Sequence, residues 1–360
     1  MRPWSAGLTD FLRINCAAFY TRCALLLVLG LLAACGRNSS YQQEAYVFGT
    51  RVEVTTWGLA ESEAQPAVAA VLQEFDRIHR TYHAWQPSEL SALNTAIAHQ
   101  EAFKASDELS QLLISARELA RQGDELFNPA IGGLIALWGF QSDHFEARLP
   151  APEAIAAWAK AKPTLDALQI ENGEIRSTNP AVQIDLGGIA KGWALDRAAE
   201  ILRAHGVRNA LINIGGNILA LGSKNGTPWR VGIQHPRRAG TIATLNLNDG
   251  EAIGSSGDYQ RFFELDGRRY CHLIDPRTGA PAQGTASLTV LVTPRPNVGM
   301  LSDAASKPAF IDAAHWRQRV AAYSIEYALR VGTDGSVEST PAMARRLQLA
   351  DGVTLRPQTE

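Results

Sequence analysis

The run Asp185-Leu186-Gly187-Gly188-Ile189-Ala190-Lys191-Gly192 constrains this chain more than any other stretch. Val182, Ile184 and Leu186 alternate ahead of it and predict a strand. The paired glycines predict a tight turn. Leu195, Ala198, Ile201 and Leu202 then mark a helix that starts near Lys191 and stops at His205-Gly206, where glycine suits the left-handed position past a helix end. Such a turn lets backbone approach a ligand closely, and a helix N-terminus with Lys191 beside it attracts a phosphate. Asp185 is placed to accept a hydrogen bond from a base or a ribose. The run matches neither the G-x-G-x-x-G dinucleotide pattern nor a Walker A loop, so a plain glycine-rich connection stays open at this point.

Elsewhere the periodicity mixes helix and strand. Pro66 to His79 puts Val68, Val71, Leu72, Phe75 and Ile78 on one helical face. Ser106 reads as an N-cap, followed by Asp107 and Glu108 and by a stripe of Leu109, Leu112, Leu113, Ala116 and Leu119. Alternation predicts strands over Ala210–Ile214, Trp229–Ile233, Ala243–Leu247 and Ser287–Val292. Helices come early and strands dominate later, which implies an α+β fold of mixed sheets with packed helices. With no long linker or repeat, residues 46–340 form one large domain, and residues 341–360 read as a loose polar tail. A net charge of −2 and no Lys/Arg-rich run give no electrostatic reason to expect nucleic acid as a partner.

The N-terminus carries an address. Arg2, Arg13 and Arg22 precede an apolar run from Ala24 to Ala34 that is short for a bilayer span, which needs about 20 residues. The run closes in Leu32-Ala33-Ala34-Cys35. This resembles a bacterial lipobox and implies a signal peptide over residues 1–34, cleavage before Cys35 and lipid on its sulfur. The expected location is the extracytoplasmic face of the cell membrane. Residues 35–45 read as a polar tether. Cys16 and Cys23 lie in the removed segment, so Cys271 would be left without a disulfide partner.

Further clusters follow. They are Asn213-Ile214-Gly215-Gly216-Asn217, Ser255-Ser256-Gly257-Asp258-Tyr259-Gln260-Arg261, and His272-Leu273-Ile274-Asp275-Pro276-Arg277-Thr278-Gly279. Asp-Pro-Arg-Thr-Gly is turn chemistry, and His272 just before it is a candidate general base, although a lone histidine near a turn is usually structural. Earlier stretches add Phe48-Gly49-Thr50, Trp85 with Ser91 and Asn94, and Phe127-Asn128-Pro129 with Leu137-Trp138-Gly139-Phe140.

In this order the segments resemble the ApbE family of FAD:protein FMN transferases, over Tyr46 to about Phe310. The resemblance implies a T-fold-related domain. It would move FMN from FAD to a Thr or Ser hydroxyl of an acceptor flavoprotein, with magnesium. Phe48, Trp85, Leu126, Phe127, Asn128, Asp185, Lys191 and Ile274 fall at FAD-contacting positions, and His272 at the histidine that takes the hydroxyl proton. Gly188, through its carbonyl, Asp303 and position 307 fall at the metal.

Two residues depart from the family pattern. Asn128 replaces an aspartate. Lys307 replaces a threonine ligand, and an ammonium has no lone pair for a metal. Ser306, a water, or the lysine's own charge at the pyrophosphate are the substitutes open to it. Two other activities compete with transfer: a magnesium-dependent FAD pyrophosphatase, and a lipoprotein that binds FAD without catalysis.

Overall fold

A computed structural model describes residues 39–142, 144 and 146–357. Cys35 and the segment before it lie outside these residues. The centre is an eight-stranded antiparallel sheet in the order Ser40–Val47, Thr50–Trp57, Ala210–Ile214, Asn217–Leu221, Ala252–Gly257, Thr285–Val292, Tyr327–Gly332, Val337–Ser339. Strand Thr285–Val292 is buried along its whole length. It faces two different cores. Leu288, Val290 and Val292 point into a helical layer, while Leu291 points the other way, joined by Ala286, which an irregularity between Thr285 and Ser287 puts out of phase. Period-two alternation thus feeds both cores from one strand.

The helical layer contains Glu61–Thr81, Asp107–Gln122, Ala190–Ala204 and, at its heart, Val298–Ile311. Nearly every residue of Val298–Ile311 is buried. A helix surrounded on all sides can carry polar groups only if each is paired, and the pairings define the site described below. Its N-terminus is held by Asp196, whose carboxylate accepts the Gly299 and Met300 N–H groups, each at 2.8 Å. The opposite face of the sheet is covered by a small sheet of Gln348–Leu349, Thr241–Leu247 and Trp229–Gln234. The architecture is the mixed α/β single domain expected from the sequence.

Some local expectations are corrected. Val182–Leu186 is extended with alternating burial, but it forms no ladder beyond an isolated parallel bridge between Gln183 and Ile131. Its neighbour is a loop, and Asn94 pins it instead, exchanging hydrogen bonds with the Ile184 N–H (2.7 Å) and carbonyl (2.9 Å). The first helix begins at Glu61 and takes Pro66 into its second turn. Part of the expected tether, from Ser40, is already the first strand. The tail expected to be loose is packed: Gln348–Leu349 pairs with Ala243 and Thr244, and Met343 is buried.

Candidate active site

The buried helix meets its neighbours through three glycines, Gly192 and its own Gly299 on one side and Gly254 of the sheet on the other. A Cβ on Gly192 would stand 2.2 Å from the Gly299 carbonyl and 2.6 Å from the Asp303 Cβ. A Cβ on Gly299 would stand 2.4 Å from the Gly192 carbonyl. On the sheet side, a Cβ on Gly254 would stand 2.0 Å from the Ser302 carbonyl. Backbone therefore contacts backbone on both sides of residues 299–303, which only glycine permits. The close approach lets the Gly192 N–H, at the start of its helix, donate to Asp303 Oδ2 at 2.9 Å.

Asp303 is fully buried, and four groups fix it. The Lys307 ammonium, one turn on, donates to Asp303 Oδ1 and to the Asp303 carbonyl at 2.7 Å. Lys191 Nζ lies 3.8 Å from Asp303 Oδ2 and donates to the Gly187 carbonyl at 3.2 Å. Ser306 donates to the Asp303 carbonyl at 2.8 Å and shares a 2.7 Å hydrogen bond with Ser256. Burial would raise the Asp303 carboxyl, but Lys191, Lys307 and the Gly192 N–H outweigh it and hold it below the usual range. Burial pushes Lys307 down to about 8, with Asp303 opposing, so the ammonium stays charged at neutral pH.

Asp185 anchors the other end of the turn. Its Oδ1 accepts the Gly187 N–H at 2.7 Å and its Oδ2 accepts the Trp85 indole N–H at 3.0 Å. The indole is thereby fixed in orientation. Phe48 joins from the first hairpin with φ +58°, a left-handed conformation rare for an aromatic residue. Its ring packs on His79 (5.7 Å between centroids), His79 packs on His83 (5.2 Å), and the Trp85 backbone N–H donates to His83 Nδ1 at 3.1 Å. Phe127 lies against Gly188, where a Cβ would stand 3.2 Å from its ring and 3.7 Å from Lys307 Cε.

His272 follows the strand Arg268–Cys271. Its Nδ1 is 3.2 Å from the Arg261 carbonyl. A carbonyl only accepts, so Nδ1 carries the proton and Nε2 keeps its lone pair. Burial, and then the charges of Arg261, Lys191 and Lys307, push the imidazole down to about 3. The Arg261 guanidinium is set by the Phe140 carbonyl at 2.8 Å, and the Phe140 ring lies edge-on to His272 at 6.5 Å.

The expected residues Asp185, Trp85, Phe127, Gly188, Lys191, Asp303 and Lys307 are thus gathered, with His272 within reach of the same charges. Others sit apart. Leu126 is part of the helical-layer core. Ile274 is buried in an aromatic cluster with Trp138, Phe140 and Phe263. Asn128 is buried, with its amide spent on the Pro163 carbonyl (3.0 Å) and the Ala130 N–H (2.8 Å), so its side chain shapes the loop. Lys307, expected among the metal residues, donates its ammonium to Asp303 Oδ1 and to the Asp303 carbonyl, and an ammonium has no lone pair to offer a metal. Among the described residues no three His, Cys, Asp or Glu side chains gather to hold a metal. The sequence reading gave no role to Arg261, Gly192, Gly254 or Gly299. Of these, Gly192 carried a signal, since a glycine inside a helix normally has a packing reason.

Comparison with known proteins adds to this geometry. The ApbE family model matches residues 48–329. An FAD:protein FMN transferase of Rhodobacter capsulatus is 38% identical over 343 residues, covering 93% of this chain and 64% of that protein. The chain therefore spans somewhat under two thirds of that relative's length. An FAD:protein FMN transferase of Vibrio cholerae is 33% identical over 238 residues, covering 65% of this chain and 70% of that protein. The crystal structure of the ApbE protein from Thermotoga maritima superimposes with a TM-score of 0.78 at 30% identity, over 86% of this chain and 99% of that one. The flavin transferase ApbE from Vibrio cholerae does so at 0.73 and 25%, over the same shares.

Proposed function

The chain belongs to the ApbE family, and on that premise we propose that it transfers FMN from FAD to a Thr or Ser hydroxyl of an acceptor protein, releasing AMP. One observation carries this reading. The His272 Nδ1 is bound to the Arg261 carbonyl, which leaves Nε2 as the acceptor of a buried imidazole within the field of Arg261, Lys191 and Lys307. Three cations around a base suit a pyrophosphate whose charge must be neutralised while a hydroxyl is deprotonated.

The acceptor oxygen attacks the phosphorus on the riboflavin side. The bond from that phosphorus to the bridging oxygen breaks, and AMP leaves with the electron pair. The hydroxyl proton passes to His272 Nε2. In the unliganded site His272 is a weak base because burial, and then three cations, oppose its protonation. The phosphates cancel that field, so the substrate itself raises the basicity of the group that acts on it. Trp85, fixed by Asp185, offers a planar surface for one of the ring systems of FAD. Lys191, at the helix N-terminus, reads the phosphates.

The magnesium site implied by the family does not match the donors present. Asp303 is engaged by Gly192 and Lys307, and Ser306 by Ser256. The steps above use the chain's own groups.

Incubation with FAD and a candidate acceptor tests the reading. Covalent flavin on the acceptor is expected. His272→Ala should lower the transfer rate by about 10²–10⁴-fold, the usual weight of a general base, with FAD affinity near wild type. Free FMN plus AMP without acceptor flavin would replace transfer by hydrolysis. Unchanged FAD would leave a binding protein.

We also propose that Cys35 carries lipid and holds the domain at the extracytoplasmic face of the membrane, where the acceptor would be a membrane or periplasmic flavoprotein. The Leu32-Ala33-Ala34-Cys35 run supports this. Mass spectrometry of the native N-terminus should find an acylated Cys35, and an unmodified chain starting elsewhere would remove the anchor.

A further inference from the structure

We propose that Lys307 is a built-in cation. Its ammonium holds the position against Asp303 that the family gives to a divalent ion, and with Lys191 it neutralises the phosphates. The site would then work without a bound metal. This rests on the FMN-transfer reading of the same site.

The argument is one of donors and space. A hard divalent cation such as magnesium needs about six oxygen ligands in a near-octahedral shell, carboxylates above all. Among the described residues, Asp303 is the one carboxylate at this position. Its Oδ1 takes the Lys307 ammonium, and its Oδ2 takes the Gly192 N–H at 2.9 Å with Lys191 Nζ at 3.8 Å. The Asp303 carbonyl accepts from Lys307 at 2.7 Å and from Ser306 at 2.8 Å. Ser306, the nearest hydroxyl able to replace the missing threonine, is bonded to Ser256 at 2.7 Å. The Gly188 carbonyl belongs to a residue lying alongside the Lys307 stem, since a Cβ there would be 3.7 Å from Lys307 Cε. A divalent ion placed here would meet two ammonium groups and displace several charge-assisted hydrogen bonds.

The pairing also explains why a lysine is tolerated in a helix buried on every side. An unpaired ammonium there would be expelled or neutralised, whereas Asp303 and its carbonyl take two of its three protons. The third is free to donate to a phosphate oxygen. A lysine in this place thus combines the charge of the ion with its link to Asp303.

Manganese is the probe, read by the loss of the free-ion EPR signal in the presence of purified protein, with and without FAD. The wild type without FAD is expected to take up no equivalent of manganese. Lys307→Thr removes the ammonium and restores a hydroxyl one turn from Asp303, so it should gain about one equivalent. Lys307→Met removes charge without adding a ligand. It should gain no manganese and should weaken FAD by about ten- to hundredfold, the weight of a hydrogen bond to a charged group. FAD affinity is read by quenching of flavin fluorescence. One equivalent of manganese on the wild type, lost in Asp303→Asn, would overturn the proposal, and that pair of measurements needs neither lysine variant to fold. A wild type that binds no FAD would instead sink the transferase reading, and the manganese result without FAD would still decide what fills the cation position.

Discussion

The two faces of the central sheet are packed by opposite means. On the helical side, Val298–Ile311 comes so near that Gly254 and Gly192 touch its backbone, and its buried face holds Asp303 and Lys307. On the other side, Trp229, Val231, Ile233, Leu245 and Leu247 fill the gap to the small sheet with side-chain volume. One polar device seals that side, where Arg346 grips the Glu251 carboxylate at 2.8 and 3.1 Å. The first face sets a buried charged crossing inside an otherwise apolar core. Burying charge costs stability unless every partner is in place, and even then gains little. The comparison implies that both faces stabilise the domain through apolar burial and that the helical face alone spends some of that stability on a charged site.

The largest expected effect separates the faces by stability. Leu247→Ala removes a fully buried side chain from the small-sheet core and should cost about 2–5 kcal/mol. Denaturant unfolding measures the loss, and FAD affinity of the folded protein should stay within about twofold. If Leu247→Ala weakened FAD as strongly as it weakened the fold, the two faces would be one coupled unit.

Gly254→Ala is the matching change on the helical face. Its new methyl would press on the Ser302 carbonyl and the Asp303 N–H group. Overpacking of this kind should cost about 1–3 kcal/mol, less than the leucine truncation. Here FAD affinity should fall with stability, because the displaced turn carries Asp303 and, through it, Lys307. An unfolding curve and a flavin titration on each variant sharpen the comparison. A Gly254→Ala protein with lowered stability and unchanged FAD affinity would show that the helix moves without the site.

This contrast also governs what the sequence could show. The small-sheet strands were readable because side-chain packing leaves a period-two pattern, as in Ala243–Leu247. The turn Asp185–Gly192 was readable because its glycines and lysine are adjacent in sequence. Gly254 and Gly299 were not, since what each excludes is a backbone atom remote in sequence or across a helix crossing. Val182–Leu186 has the correct alternation for burial, but sheet membership depends on a partner that the local pattern does not contain. The residues from Pro341 onward look polar, yet Leu347, Leu349, Val353 and Leu355 are spaced through them and pack on the small-sheet core. Lys307 was visible as a departure from a family pattern. That its ammonium would turn back onto Asp303 followed only from the geometry of the buried helix.

The smallest expected effect is also the one that compares the faces under a single variable, pH. On the small-sheet face, burial works to raise Glu251, but Arg346 and the Asn248 N–H outweigh it and hold it below its usual value of 4.5. Its contribution to stability is therefore present above 4.5 and is lost as pH falls through the lowered folded value. On the helical face, His272 is lowered from 6.5 to about 3, so the folded protein binds fewer protons there than the unfolded chain. Stability from this group is present above 6.5 and declines as pH falls toward 3. Both faces thus weaken in acid, but FAD should act on one of them. Its phosphates bring negative charge among Arg261, Lys191 and Lys307, which relieves the opposition to protonation and raises His272. A rise of one unit corresponds to about 1.4 kcal/mol. By linkage, FAD should bind more tightly as pH drops through the raised value, and it should slow the acid decline in melting temperature by the His272 share alone. In His272→Ala that FAD-dependent share should vanish, while the Glu251 share remains and disappears in Glu251→Gln. Melting curves across pH with and without FAD, on the wild type and these two variants, measure each share. FAD protection in acid that persists unchanged in His272→Ala would show that the pyrophosphate does not reach the field around this imidazole.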